Sequence, residues 1–124
     1  MAGDTGSGVA YVMLGVTDME RSVRFYEETL GRPIRFRVEA GLVFIDGGPV
    51  TIGLSTGLAR RRQPVAGATE LVFTVENVKA SWRSLAAKGV EFITEPWQAT
   101  DKDWTATLAD PDGHYVTLFG PAGE

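Results

Sequence analysis

The same order of secondary-structure signals occurs twice along this chain of 124 residues. Each copy begins with a strand pattern, continues with a helix pattern and ends with three further strand patterns, so the predicted order is βαβββ followed by βαβββ. The copies cover about residues 8–55 and 68–120. The segment between them, about 56–67, has no period and is predicted to be a linker. Any fold for this chain must therefore place two similar modules in one α+β domain over residues 1–124.

Residues that cap helices and form turns support the repeat. Thr17 or Asp18 is expected to cap the first helix and Gly31 to end it. Asp110-Pro111-Asp112-Gly113 predicts a tight turn between the last two strands, because Pro fixes one torsion and Gly supplies an unusual one. Aligned positions are Tyr11 with Glu70, Leu14 with Phe73, Val16 with Val75, Ser22 with Ser81, Asp46 with Asp110, Gly53 with Thr117 and Leu54 with Leu118.

Composition excludes several classes of site. The chain has no cysteine and a single histidine, His114, so disulfides, thiolate nucleophiles and sites with two imidazoles from one chain are excluded. A formal net charge of -4 disfavours a nucleic-acid partner. Arg60-Arg61-Arg62 is interpreted as a solvated part of the linker. No run approaches membrane-spanning length, and we expect a soluble cytoplasmic protein without a membrane partner.

Three stretches carry a resemblance to a known family: "LGVTDMERSVRFYEETLG" (14–31), "LVFTVENVKASWRSLAAKGVEF" (71–92) and "DPDGHYVTL" (110–118). With the two βαβββ modules, they make the chain similar to the vicinal oxygen chelate superfamily, which groups glyoxalases, bleomycin resistance proteins and extradiol dioxygenases. The resemblance implies two modules whose strands curl into a cup-like open barrel. It also implies a homodimer in which each cup is completed by the partner chain.

In metal-dependent members of that family, four side chains from the first and last strands of the modules hold a divalent ion. The resemblance carries these positions onto Tyr11, Gly53, Glu70 and Thr117. Only Glu70 is an ordinary ligand for such an ion, because hydroxyls are weak ligands and glycine has no side chain. We therefore expect these positions to be vacated and no cofactor to be needed, with a divalent metal as the less favoured alternative.

A cup without a metal can still bind a small molecule through aromatic walls and a few polar groups. Glu70 either lies at the end of its strand, solvated or bonded to Tyr11, or forms a polar pair with Tyr11 at the floor of the cup. In the second case Glu70 receives a cationic group or acts as a general base. Trp97 is expected in a loop, over residues 95–102, that borders the cup. The candidate ligand-binding residues are Tyr11, Met13, Phe36, Phe44, Glu70, Trp97, Trp104, Thr117 and Phe119.

Two hypotheses about function follow from the residues and the resemblance. The first is a metal-free binding protein of the bleomycin-resistance type that sequesters an aromatic or cationic small molecule such as an antibiotic. The second is an enzyme, a glyoxalase-like lyase or isomerase or a dioxygenase, with a reduced metal site or with Glu70 as the catalytic base. Whether the chain is an enzyme stays open at this point, although the incomplete ligand set favours the binding protein.

Overall fold

Two four-stranded β-sheets with short helices form the protein, as seen in a computed structural model that describes residues 6–122. The expected α+β class is confirmed, and the sheets do not close into a barrel. The strands are β1 Tyr11–Gly15, β2 Ile34–Glu39, β3 Leu42–Gly47, β4 Val50–Ser55, β5 Glu70–Thr74, β6 Phe92–Gln98, β7 Trp104–Ala109 and β8 Tyr115–Gly120; the helices are α1 Met19–Arg24, continued by a π-helical turn Phe25–Thr29, α2 Thr56–Arg61 and α3 Val78–Ala87.

The two sheets share one topology. The first has the order β1-β4-β3-β2 and the second the order β5-β8-β7-β6. In each, the first strand of the module pairs in parallel with the last strand, and the other pairings are antiparallel. Met13 pairs with Gly53 in the first sheet, and the aligned residues Val72 and Thr117 pair in the second. The register therefore agrees with the repeat read from the sequence.

Each sheet packs one face against helices and leaves its other face open. In β1, β3 and β4, alternate residues are buried against the helices because their side chains point to one side of the pleated strand. The Asp18 side chain caps α1 by accepting a hydrogen bond from Arg21 N, and the Asn77 side chain caps α3 in the same way. The shared core includes Leu14, Val16, Val23, Tyr26, Val43, Ile45, Ile52, Leu54, Leu85, Leu108, Val116 and Leu118.

Two segments differ from the sequence prediction. The predicted linker contains the short helix α2, which begins because the Ser55 side chain accepts a hydrogen bond from Leu58 N. It packs closely on β1, where Gly15 leaves room for Ala59. The expected loop at 95–102 is also shorter, because β6 extends to Gln98 and includes Trp97. A strand was predicted over 90–94, and register shifts in β6 explain why its continuation to Gln98 was not recognised.

The turn at 110–113 joins the second module to the first. The Asp112 carboxylate accepts hydrogen bonds from Thr17 N (3.1 Å) and Thr17 Oγ1 (2.6 Å). Asp110 is buried and accepts the Tyr26 hydroxyl at 2.7 Å, together with the backbone N–H groups of Asp112 and His114. The His114 ring lies 2.7 Å, through Nε2, from the Gly15 carbonyl oxygen. One turn thus supplies most of the polar contacts between the modules.

Burial decides the ionisation of this junction. Desolvation raises the pKa of Asp110 above the ordinary carboxyl value, against the lowering effect of its hydrogen bond from Tyr26. Desolvation, followed by the charge of Asp110, raises the pKa of Tyr26, so its hydroxyl stays a donor at all ordinary pH values.

Among residues 6–122, no helix has the length and apolar character that crossing a membrane requires.

Candidate functional site

The open face of the first sheet is apolar and aromatic. The Phe44 ring on β3 lies 4.8 Å from the Tyr11 ring on β1 and 4.8 Å from the Phe36 ring on β2, measured between centroids. Phe44 is buried by these neighbours, whereas Tyr11 is 50% exposed and Phe36 43% exposed. The outer rings therefore present aromatic surface that nothing in the described part of the chain covers.

This aromatic surface is continuous because Gly53 has no side chain to interrupt it. It lies on β4, between β1 and β3, opposite Met13 on one side and Phe44 on the other. A Cβ atom at Gly53 would clash with the Met13 thioether, with Met13 Cε at 2.6 Å and Phe44 Cε1 at 3.0 Å. The space that a metal-binding side chain would need at this position is thus filled by the side chains of Met13 and Phe44.

The open face of the second sheet carries a short hydrogen-bond chain instead. The Thr117 hydroxyl on β8 donates to Glu70 Oε2 on β5, and the hydroxyls of Thr117 and Thr107 lie 2.8 Å apart. Because Thr117 has one hydroxyl proton and gives it to Glu70, Thr107 is the donor to Thr117. Thr117 is buried, while Glu70 is exposed at the end of its strand. These hydrogen bonds orient one Glu70 oxygen, and no group of residues 6–122 donates to the other carboxylate oxygen.

The sequence hypothesis that Tyr11 bonds to Glu70 is wrong for the described chain. Glu70 accepts its hydrogen bond from Thr117, whereas the Tyr11 ring packs on Phe44 in the other sheet. The four positions that hold the ion in metal-dependent members of the family therefore lie apart. Tyr11 and Gly53 are on the open face of the first sheet, and Glu70 and Thr117 are on the open face of the second. Thr107 was not among the sequence candidates, although its place opposite Thr117 follows once the register of β7 and β8 is known.

The three aromatic residues expected around the second sheet divide between its faces. Phe119 pairs with Thr105 on β7, and Trp97 on β6 pairs with the same Thr105, so both rings share the open face with Glu70. Trp97 is 52% exposed. Trp104 was expected to point inward, and this is wrong. It pairs with Gly120, lies on the helix-facing side, and receives Lys79 Nζ 4.4 Å from its ring centroid.

The donor set does not fit a divalent cation of the kind that oxygen-rich sites bind. Glu70 is the single charged member, Thr117 is already its hydrogen-bond donor, and position 53 has no free space. In residues 6–122, no three His, Asp or Glu side chains come together in a way that could hold a metal ion. His114 lies away from both open faces, buried at the module junction. That the protein needs no cofactor stays a prediction.

A charged cluster lies at the hairpin end of the first sheet. Asp46 accepts from Gly48 N at 2.7 Å and forms ion pairs with Arg35 (2.9 Å) and Arg32 (3.3 Å). The backbone hydrogen bond, followed by the two arginine charges, lowers the pKa of Asp46. Arg35 also donates to Thr51 and to the Gly48 carbonyl. One carboxylate thus balances two guanidinium groups, which leaves a net positive charge at this end of the sheet.

Comparison with known proteins finds similarity both in sequence and in fold. Residues 8–118 match the family model of the Glyoxalase/Bleomycin resistance protein/Dioxygenase superfamily. An uncharacterized protein of Mycolicibacterium smegmatis is 28% identical over 113 residues, which cover 91% of this chain and 93% of that protein. TnmS3, an antibiotic binding protein from Streptomyces sp. CB03234, superposes with a TM-score of 0.78 at 21% identity, covering 94% of this chain and 98% of its own. A lactoylglutathione lyase from Agrobacterium tumefaciens superposes with a TM-score of 0.75 at 16% identity, covering 92% and 93%.

Proposed function

Because the chain belongs to the Glyoxalase/Bleomycin resistance protein/Dioxygenase superfamily, we propose that it is a metal-free small-molecule-binding protein that sequesters an aromatic or cationic ligand such as an antibiotic. The observation that carries the proposal is the exposed aromatic surface formed by Tyr11 and Phe36 over Phe44. Exposed apolar patches on a folded domain are typical of binding surfaces. The structural likeness to TnmS3 supports the same class of function.

The second open face supplies the polar part of the proposed site. Trp97 offers a half-exposed ring, and Glu70 offers a carboxylate with one oxygen held by Thr117. A planar ligand with a positive charge would stack on the rings and place its cation at Glu70. The net charge of -4 also favours approach of a cation.

The proposal includes a homodimer. Each open face is shallow by itself and leaves large apolar side chains in solvent, among them Tyr11, Val72 and Trp97. A partner subunit packed over these faces would cover them and turn two shallow faces into enclosed sites. Twofold symmetry then gives two equal sites per dimer, and no cofactor is needed to complete them.

Replacing Trp97 with alanine is expected to weaken binding of a cationic aromatic antibiotic by about fivefold or more, because one stacking contact contributes about 1 kcal/mol beyond its buried area. Trp104→Ala is the matched control, since it removes the same ring from the helix-facing side and should leave the dissociation constant unchanged. Isothermal titration calorimetry, with light scattering for the mass of the complex, measures both affinity and sites per dimer. Equal affinities of the two variants for every compound tested would contradict the proposed site.

Glu70 favours one alternative function. An exposed carboxylate with a fixed oxygen on an open face can abstract a proton from a bound substrate. The alternative is a glyoxalase-like lyase or isomerase, or a dioxygenase. If it holds, Glu70→Gln abolishes turnover of thiohemiacetals formed from glutathione and 2-oxoaldehydes but leaves their binding intact. If the chain is a binding protein, neither the parent nor the variant converts these substrates. Glu70→Gln then weakens the binding of cationic ligands only.

A further inference from the structure

A cavity lies on the opposite side of the second sheet from the open face. Its volume is about 400 Å³, which lies within the range of small-molecule sites. Its walls come from both modules: the end of the π-helical turn and the residues after it from the first, and α3, β5 and β8 from the second. Because Val116 and Leu118 of β8 belong to the helix-facing core, the cavity does not communicate with the face that carries Glu70 and Thr117.

The deepest part of this cavity is apolar, and its rim is polar. Its floor is built by core residues that are almost fully buried, Leu85 on α3 and Val116 and Leu118 on β8, and by the partly buried ring of Phe73. Thr29, Thr74, Ser81 and Ser84 also line the cavity. Such a surface is suited to an alkyl chain rather than to a strongly hydrated ligand.

The charged lining is entirely positive. Lys88 and Arg32 line the cavity, and no Asp or Glu of residues 6–122 does. Lys88 Nζ lies 3.0 Å from the Thr29 carbonyl oxygen and 3.3 Å from the Glu28 carbonyl oxygen, and among residues 6–122 it forms no ion pair with a carboxylate. Its ammonium group has three donors, so one is left for a ligand.

Arg32 adds to this positive charge. It shares the Asp46 carboxylate with Arg35, so a single negative charge balances two guanidinium groups. Its Cζ atom lies 5.0 Å from the centroid of the Phe73 ring, which holds the guanidinium at the cavity wall. Two cations at the wall of a cavity with an apolar floor favour a ligand that combines one anionic head with an apolar body.

We propose that this cavity binds a medium-chain monocarboxylate. The alkyl chain lies against Leu85, Phe73 and Leu118, and the carboxylate accepts hydrogen bonds from Lys88 and Arg32. Since Arg32 belongs to the first module and Lys88 to the second, the ligand bridges the modules and stabilises their packing. This site is separate from the open faces, and its existence does not depend on the function proposed for them.

Octanoate, used below its micelle-forming concentration, is the probe that tests this proposal. Calorimetric titration is expected to show octanoate binding at least about tenfold more tightly than octanol, octylammonium or acetate, because only octanoate offers both the chain and the negative head. Octanoate is also expected to raise the melting temperature. Equal binding of octanoate and octanol would overturn the assignment of the head group, and binding of acetate as tight as that of octanoate would overturn the role of the cavity.

Two variants locate the site. Lys88→Gln is expected to weaken octanoate binding about tenfold, while Lys102→Gln, which neutralises an exposed lysine on the 99–103 segment, leaves it unchanged. Ser84→Leu fills the cavity and is expected to abolish binding without affecting the fold, because position 84 is exposed on α3. If octanoate still bound to Ser84→Leu, the ligand would not occupy this cavity. If binding were lost in Trp97→Ala, octanoate would bind at the open face instead.

Discussion

Asp110→Ala is expected to lower the free energy of unfolding by about 3 kcal/mol, because three donors lose their acceptor at once. The Tyr26 hydroxyl and the backbone N–H groups of Asp112 and His114 all point at this one carboxylate, and Asp110 is 5% exposed. Equilibrium urea unfolding of the parent and the variant measures the difference.

Two controls separate this cost from a general effect of removing a carboxylate. Asp101→Ala removes an exposed carboxylate and is expected to change stability by less than about 0.5 kcal/mol. Tyr26→Phe removes one of the three donors and is expected to cost about 1 kcal/mol. A loss below about 1 kcal/mol for Asp110→Ala would show that the turn does not hold the modules together.

Gly120→Ala is expected to destabilise the protein by about 3 kcal/mol or more, since it combines two penalties. Gly120 has φ +153°, a conformation that side chains disfavour, and an added Cβ would collide with the Val75 carbonyl group, whose carbon lies 3.2 Å away. That carbonyl cannot withdraw easily, because Val75 N donates to Phe119 O at 2.9 Å and fixes the backbone.

Gly89→Ala is the matched control for this substitution. Gly89 has φ +91°, but nothing lies within 4 Å of an added Cβ. It therefore reports the conformational penalty alone, about 1 kcal/mol. The comparison of the two melting curves isolates the steric part, and equal destabilisation of the two variants would contradict the close approach of β8 to Val75.

The sequence was sufficient to predict the two modules, their element order and their alignment. Alternating apolar residues, side-chain caps and turn residues are local signals, and all of them agree in this chain. The helix α2 was missed because its single turn and a half is too short to show a period, and the cap at Ser55 stands directly at the end of a strand. Trp97 was placed in a loop because the irregular pairing of β6 hides its alternation.

Orientation was harder to predict than element order. Trp104 and Phe119 were both expected to point into the cup, but only Phe119 lies on the open face, because the strands around the turn at 110–113 pair Thr105 with Phe119 and Trp104 with Gly120. A shift of one residue in a strand register moves every side chain to the other face, and the turn sequence alone does not determine that register. The contacts of Tyr26 with Asp110 and of His114 with Gly15 depend on how the modules pack, which no local pattern encodes.

The pairing of the first strand with the last in each module has a consequence for biosynthesis. In the order β1-β4-β3-β2, β1 has β4 as its hydrogen-bonding partner, and β5 depends on β8 in the same way. A nascent chain can form the β2-β3 hairpin early, but β1 stays unpaired until Ser55 has left the ribosome. Such non-local closure slows folding and exposes an apolar strand during synthesis. Each module therefore passes its most aggregation-prone stage just before its last strand emerges.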